Sequence, residues 1–289
     1  MIPVNLSDVK GVLTRTADAL KGAFFPTKCL MCESFFHLRE KGGSRLTVKG
    51  FPDGPILDMK GKEIFERLMV PFLCLSCRCD FIPVESPVCS CCGVMFKSRE
   101  GEDHTCAECL RAPKKFRMAR AAGVYDGALM ATIHLFKYKG KMQLVRPLGM
   151  LLFTAFTDLW GERDIDVVIP VPLHVKRLRT RGFNQAVLLV RDWADFGPAL
   201  KVTLPNAHLD RQLLVRDRWT EPQTGMDRKK RALNIRGAFK VNAPSNITGK
   251  RILLVDDVYT TGATANECAR TLLDCGAGQV DVLTLARAM

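Results

Sequence analysis

Four pairs of cysteines with C-x-x-C spacing constrain the fold of this 289-residue chain more than any other feature. A C-x-x-C turn directs two thiolates at one tetrahedral ion, and two such turns complete a closed four-sulfur site. The spacing therefore predicts two structural zinc ions. Their predicted ligands are Cys29, Cys32, Cys74, Cys77, Cys89, Cys92, Cys106 and Cys109.

Other uses of paired cysteines fit this stretch less well. Disulfide bonds need an oxidising compartment, and polar residues such as Asp8 and Lys10 interrupt the apolar core that a secretion signal requires. A thioredoxin-like pair needs a strand–helix context, whereas these pairs lie among Pro and Gly residues. The spacing also lacks the tight repetition of ferredoxin ligands. We therefore expect a soluble, cytoplasmic zinc protein.

The four pairs can share two ions in three ways, of which sequential pairing is the simplest. Thirteen residues separate Cys92 from Cys106, which is a compact loop, whereas 41 separate Cys32 from Cys74. The first site must therefore contain an insertion, at about 38–70. The resulting organisation is an N-terminal helix at 1–25, a double zinc-finger module at 26–112 and a larger domain at 113–289.

The positive charge of the chain, a formal net +13, is concentrated in two blocks. Residues 111–150 hold nine basic side chains and one acidic one, and residues 173–240 hold fifteen basic and six acidic ones. Such blocks favour an anionic ligand, either nucleic acid or a phosphorylated small molecule. A solvated basic face kept for solubility is the alternative.

From residue 113 onward, apolar strands alternate with helices. Strands are predicted at 121–126, 167–171, 251–256 and 279–286. Helices are predicted at 129–138, 142–159, 183–196 and 263–275. This alternation indicates a parallel sheet covered by helices on both faces. No apolar run reaches the roughly 18 residues that a membrane span needs.

The most specific motif is the run from Ile252 to Thr264, ILLVDDVYTTGAT. A buried strand leads into two adjacent carboxylates, Asp256 and Asp257, and a loop of small and hydroxyl residues then opens a helix. In an open α/β sheet, ligands bind at the carboxyl ends of the strands. Backbone N–H groups of such a loop cradle phosphate, and carboxylates suit the hydroxyls of an attached sugar. The run therefore predicts a site for a phosphorylated sugar, and neither a P-loop nor a G-x-G-x-x-G fingerprint competes with it.

This run resembles the ribose-5-phosphate motif of type I phosphoribosyltransferases, which bind 5-phosphoribosyl-1-pyrophosphate (PRPP). Together with the cysteine pairs and the R-G-F-N-Q run at 181–185, it makes residues 26–289 resemble the ComF family. That family includes competence proteins linked to DNA uptake. The resemblance implies a Rossmann-like parallel sheet of the type I phosphoribosyltransferase kind, preceded by a small zinc-binding module.

The resemblance also implies roles for individual residues. Asp256 and Asp257 would bind the ribose hydroxyls and stabilise the cationic transition state, while Mg²⁺ accompanies PRPP. The composition of the segment at 212–236, polar and dense in Arg and Lys, predicts either a loop that folds over the ligand or a basic surface excursion without ligand contact. The PRPP-binding residues would be Pro172, Arg177, Arg179, Arg181, Val258, Tyr259, Thr260, Thr261, Gly262, Ala263 and Thr264.

Two functions remain open at this point. The first is a phosphoribosyltransferase that uses PRPP and an unidentified acceptor. The second is a non-catalytic PRPP-sensing module that binds single-stranded DNA, or DNA-uptake proteins, through its basic blocks. The small number of aromatic residues in those blocks weighs against the second, because single-strand binders stack bases on exposed rings.

Overall fold

A computed structural model describes residues 26–37, 59–160, 165–200, 202, 207–220 and 228–289. The strands are β1 (Thr27–Lys28), β2 (Phe35–Phe36), β3 (Ala119–Val124), β4 (Val167–Pro170), β5 (His208–Leu209), β6 (Leu214–Arg216), β7 (Phe239–Val241), β8 (Arg251–Tyr259) and β9 (Gln279–Arg287). The helices are α1 (Gly61–Leu68), α2 (Leu75–Cys79), α3 (Ala107–Arg111), α4 (Gly127–Lys139), α5 (Val145–Trp160), α6 (Val175–Arg181), α7 (Gln185–Val190), α8 (Trp193–Leu200), α9 (Arg228–Ile235) and α10 (Ala263–Asp274). The helix predicted at 1–25 lies outside the described residues.

Five strands form one parallel sheet in the order β3-β9-β8-β4-β5. Side chains alternate across β8, as a pleated strand requires. Leu253 and Val255 pack with α4, α5, α7 and α8, whereas Ile252 and Leu254 pack with α10 and the β6–β7 pair. Both faces of the sheet are therefore covered, which confirms the predicted α/β fold class.

Several predicted elements have different bounds in the structure: β3 (Ala119–Val124) begins and ends two residues before the predicted strand, and α5 (Val145–Trp160) begins three residues after the predicted helix start. Strand β8 continues past the predicted end at 256, because its backbone pairs with β9 as far as the Tyr259–Arg287 partners. The helix predicted at 183–196 is wrong as a single helix. The Arg191 N–H donates to the Leu188 carbonyl three residues back, at 3.3 Å, so the α-helical pattern breaks between α7 and α8.

The cysteine-rich segment packs against both faces of the sheet. Cys29 and Cys77 belong to the hydrophobic cluster on the α5 face, and Cys89, Cys92 and Cys109 belong to the cluster on the α10 face. Hydrophobic packing is thus continuous between this segment and the sheet. The domain boundary at 112/113 stays a prediction.

The predicted insertion at 38–70 is described only in its last part, since 38–58 lie outside the described residues. Helix α1 buries Ile64, Phe65 and Leu68, which are spaced along one helical face. This part of the predicted insertion therefore belongs to the core. Among the helices that the structure describes, none combines the length and apolar character that crossing a membrane requires.

Candidate functional site

A cleft of about 390 Å³ lies beyond the carboxyl ends of β4 and β8. This is the edge of the sheet at which an open α/β fold binds ligands. The predicted site residues that line it are Pro172, Arg177, Arg181, Asp256, Asp257, Val258, Tyr259, Thr260, Gly262, Ala263 and Thr264. Two predicted residues are not part of this lining: Arg179 is exposed on α6, and the Thr261 hydroxyl accepts from the Ala263 N–H at 3.4 Å.

The two adjacent carboxylates differ in their surroundings. Asp257 is 8% exposed and forms an ion pair with Lys137, with 2.8 Å between Nζ and Oδ2. Asp256 accepts a hydrogen bond from the Asp257 N–H at 2.8 Å. Burial and the neighbouring Asp257 charge raise the pKa of Asp256 to about 7. Asp256 can therefore change charge near neutral pH.

Lys137 is a site residue that the sequence reasoning missed. Burial alone would lower the pKa of its ammonium group, but attraction to Asp257 raises it above the ordinary value. The sequence feature that could have identified Lys137 is its position in α4, four residues after buried Ile133 and next to buried Phe136. A lysine on the apolar face of a helix needs a buried partner.

The loop between β8 and α10 depends on Gly262. Its φ of +75° lies in the left-handed region that glycine favours. A Cβ atom there would lie 2.0 Å from the Tyr259 hydroxyl oxygen. Gly262 is one of the predicted PRPP-binding residues. The structure adds a reason for glycine at this position, which is contact with the buried ring of Tyr259.

Basic side chains face the carboxylates across the cleft. Arg216, which the sequence reasoning also missed, is buried, and its Nη2 donates to the Thr220 hydroxyl. Burial and the nearby Arg177 lower the pKa of Arg216 to about 10. Burial and Arg181 likewise lower the pKa of Arg177. Three guanidinium groups therefore line one cleft, where an anion would relieve their mutual repulsion.

The eight paired cysteines form two groups, and within each group the sulfur atoms lie within 4.8 Å of one another. The first group is Cys29, Cys32, Cys74 and Cys77, and the second is Cys89, Cys92, Cys106 and Cys109. This grouping is the predicted sequential pairing.

The spacing of the sulfur atoms suits zinc. Tetrahedral zinc with Zn–S bonds of about 2.3 Å separates its sulfur ligands by about 3.8 Å. The Cys32–Cys74 and Cys92–Cys106 sulfur distances are 3.7 and 3.9 Å. Backbone N–H groups of Cys92 and Cys106 donate to the Cys89 sulfur at 3.4 and 3.3 Å, an arrangement that stabilises a thiolate. Both groups could therefore hold a zinc ion.

Comparison with known proteins finds a phosphoribosyltransferase family model and competence proteins that are similar to this chain. Residues 208–289 match the family model described as "Phosphoribosyl transferase domain". The chain is 30% identical over 234 residues to competence protein F of Haemophilus influenzae, an alignment that covers 75% of this chain and 97% of the relative. It is 27% identical over 225 residues to competence protein ComFC of Bacillus subtilis, covering 74% and 84%.

A solved phosphoribosylpyrophosphate synthetase from Mycobacterium smegmatis overlaps only in part. The TM-score is 0.27 at 16% identity, over 48% of this chain and 33% of that chain. Fold and sequence together define a phosphoribosyltransferase-type α/β domain joined to a cysteine-rich module. The chain belongs to the ComF family of competence and DNA utilization proteins.

Proposed function

We propose that the cleft binds PRPP and that the protein transfers its phosphoribosyl group to a nitrogen nucleophile. One observation carries this proposal: the two carboxylates, residues of the 260–264 loop (the phosphate loop) and three arginines line the same cleft. Acids next to a phosphate cradle suit a phosphorylated sugar, and arginines opposite them suit a second anionic group. PRPP carries both groups on one ribose.

In this mechanism, residues 260–264 hold the 5-phosphate, and Asp256 and Asp257 accept hydrogen bonds from the ribose hydroxyls. Arg177, Arg181 and Arg216 bind the pyrophosphate. The bond between C1 and the pyrophosphate oxygen breaks, and pyrophosphate leaves with the electron pair. The nucleophile then forms the bond to C1 and gives up its proton to the departing pyrophosphate or to water.

The protein contributes electrostatics and position rather than a nucleophile of its own. Positive charge develops at C1 as the bond breaks, and a carboxylate held nearby stabilises it. Because Lys137 neutralises Asp257, Asp256 supplies most of the negative charge. The oxygen-rich lining of the cleft suits Mg²⁺, which when bound would offset the charge of the pyrophosphate. The proposed zinc ions are structural, and eight zinc-bound thiolates fit the reducing cytoplasm.

Ligand binding should be visible as thermal stabilisation. PRPP with Mg²⁺ at about 100 times its Kd is expected to stabilise the protein by about 2.7 kcal/mol, a rise in Tm of roughly 4–5 °C. The double variant Asp256→Asn/Asp257→Asn should lose the shift, whereas Asp158→Asn, which alters an exposed carboxylate on α5, should keep it. An unchanged wild-type melting curve would rule out PRPP as the ligand.

The pH dependence of the affinity for PRPP provides a second test of the proposed site. A ribose hydroxyl donates to an ionised carboxylate, so binding favours the deprotonated form of Asp256. Since the pKa of Asp256 is about 7, PRPP affinity should rise between about pH 6 and pH 8 and then level off. Asp256→Asn should remove that part of the dependence, which separates it from titration of the ligand phosphate.

Single-stranded DNA is a second candidate ligand, favoured by one exposed ring that lines the cleft and a second that contacts the cleft residue Arg177. Trp219 is 37% exposed, with Lys176 and Arg177 lying 5.5 and 5.8 Å from its ring centroid. Tyr138 is 65% exposed and lies under Arg181, at 5.3 Å. Rings beside cations are the surfaces on which single-strand binders stack bases.

This candidate predicts salt-sensitive binding of an oligothymidylate, measured by fluorescence anisotropy. Affinity should fall steeply with salt, and Trp219→Ala should cost about 1–3 kcal/mol. Phe35→Ala removes an exposed ring from β2, 69% exposed and distant in sequence from the basic blocks, and should leave binding unchanged. Competition by PRPP would place the DNA at the cleft itself, whereas salt-insensitive binding would contradict the candidate.

A further inference from the structure

Arg287 connects the second cysteine group to the phosphate loop. Its Nη2 lies 3.2 Å from the Cys92 sulfur, and its guanidinium carbon lies 4.4 Å from the centroid of the Tyr259 ring. The residue is only 7% exposed. One buried cation therefore touches both a predicted zinc ligand and the ring at the base of the loop.

The arrangement of strands in the sheet explains why Arg287 contacts both Tyr259 and the second cysteine group. Tyr259 and Arg287 are register partners on the parallel strands β8 and β9, so their side chains lie on the same face. The second cysteine group docks on the neighbouring strand β3, where the Ala119 N–H donates to the Cys91 carbonyl at 2.7 Å. Gly93 permits this docking, since a Cβ there would lie 2.5 Å from the Ala119 carbonyl oxygen.

The positive charge of Arg287 indicates that the second cysteine group binds a zinc ion. A buried guanidinium group is costly without a negative partner. In the described part of the chain its partner is a sulfur, and no carboxylate forms an ion pair with it. A zinc ion with four thiolates carries a net charge of about −2, which supplies the missing counter-charge.

The Tyr259 ring lies between Arg287 and the phosphate loop and contacts both. The ring is buried and contacts Arg287 on one side and Phe116 edge-on, with centroids 6.1 Å apart. Its hydroxyl end lies against Gly262, with no room for a methyl group between them. A displaced ring must therefore displace the backbone of residues 260–264.

We propose that Arg287 is a positioning residue through which zinc in the second cysteine group holds the phosphate loop in its binding conformation. Loss of zinc from that group would then weaken binding of a phosphorylated ligand although no cleft residue changes. The ligand-binding half of this inference rests on the proposed function, whereas the half concerning metal and loop does not.

The test compares Arg287→Met and Arg287→Lys with the wild type and with Arg251→Met. Arg251 is 42% exposed and pairs with Asp166, so its substitution removes one arginine far from the metal group. Zinc release to a chromogenic chelator, hydrogen exchange of amides 259–264 and the Kd for PRPP are measured on the full chain.

For Arg287→Met, one of two zinc equivalents should be released at least about tenfold faster. The amides at 259–264 should exchange faster, and the Kd for PRPP should rise at least tenfold. Arg287→Lys keeps the charge but loses the planar contact, so it should retain zinc better while the loop still loosens. Arg251→Met should match the wild type in all three measurements.

Wild-type zinc retention and wild-type loop protection in Arg287→Met would overturn the inference. If Arg287→Met fails to fold, Arg287→Lys decides: unchanged exchange at 259–264 overturns the inference, and faster exchange supports it. If the wild type does not bind PRPP, the proposed function fails, while zinc release and hydrogen exchange still decide whether Arg287 couples metal to loop.

Discussion

Replacing Lys137 with Met is expected to lower the free energy of unfolding by about 3–5 kcal/mol, because it leaves Asp257 buried without its partner. Both side chains of the pair are only 12% exposed, so water can replace the ammonium group only in part.

A double-mutant cycle separates the ion pair from the packing of the lysine stem. Lys137→Met/Asp257→Asn removes both charges and should recover much of the stability that Lys137→Met loses. Lys139→Met, two residues further along α4 and exposed, is the matched control and should change stability by less than about 0.5 kcal/mol. Urea denaturation of the wild type, Lys137→Met, Asp257→Asn and the double variant gives the coupling energy. Additive effects would contradict a buried ion pair.

The sequence predicts local features of the site well. The run from Ile252 to Thr264 identifies a strand, its two carboxylates and a loop, because all three follow from neighbouring residues. C-x-x-C spacing predicts the two four-sulfur groups for the same reason. Sequential pairing required only the assumption that adjacent turns in the chain are adjacent in space.

Contacts between segments that are distant in the chain could not be predicted from the sequence in this way. Lys137 becomes the partner of Asp257 only when α4 packs beside the end of β8, 120 residues further along the chain. Arg287 reaches Tyr259 because of the register between β8 and β9, and a strand pattern does not specify register. The β8 strand extends past Asp257 for the same reason, since pairing with β9 continues across polar residues.

Each four-sulfur group is expected to bind one zinc ion, so elemental analysis should find two per chain. Cys77→Ser and Cys109→Ser should each lose one equivalent, because each removes a buried ligand from one group. Cys79→Ser is the control: Cys79 is exposed on α2, belongs to neither group and should leave both equivalents bound. Fewer than two equivalents in the wild type would mean that one group does not hold zinc.

Removal of both ions should destabilise more than the cysteine-rich segment. Structural zinc sites supply binding free energies of about 10–16 kcal/mol in isolated zinc-finger peptides. Loss of even about 5 kcal/mol would lower the Tm of a protein this size by roughly 8 °C. Cys29 and Cys77 pack in one hydrophobic cluster of the sheet and Cys89, Cys92 and Cys109 in the other. A chelator should therefore lower a single cooperative transition, and a separate early transition with an unchanged second one would show instead that the segment unfolds independently of the sheet.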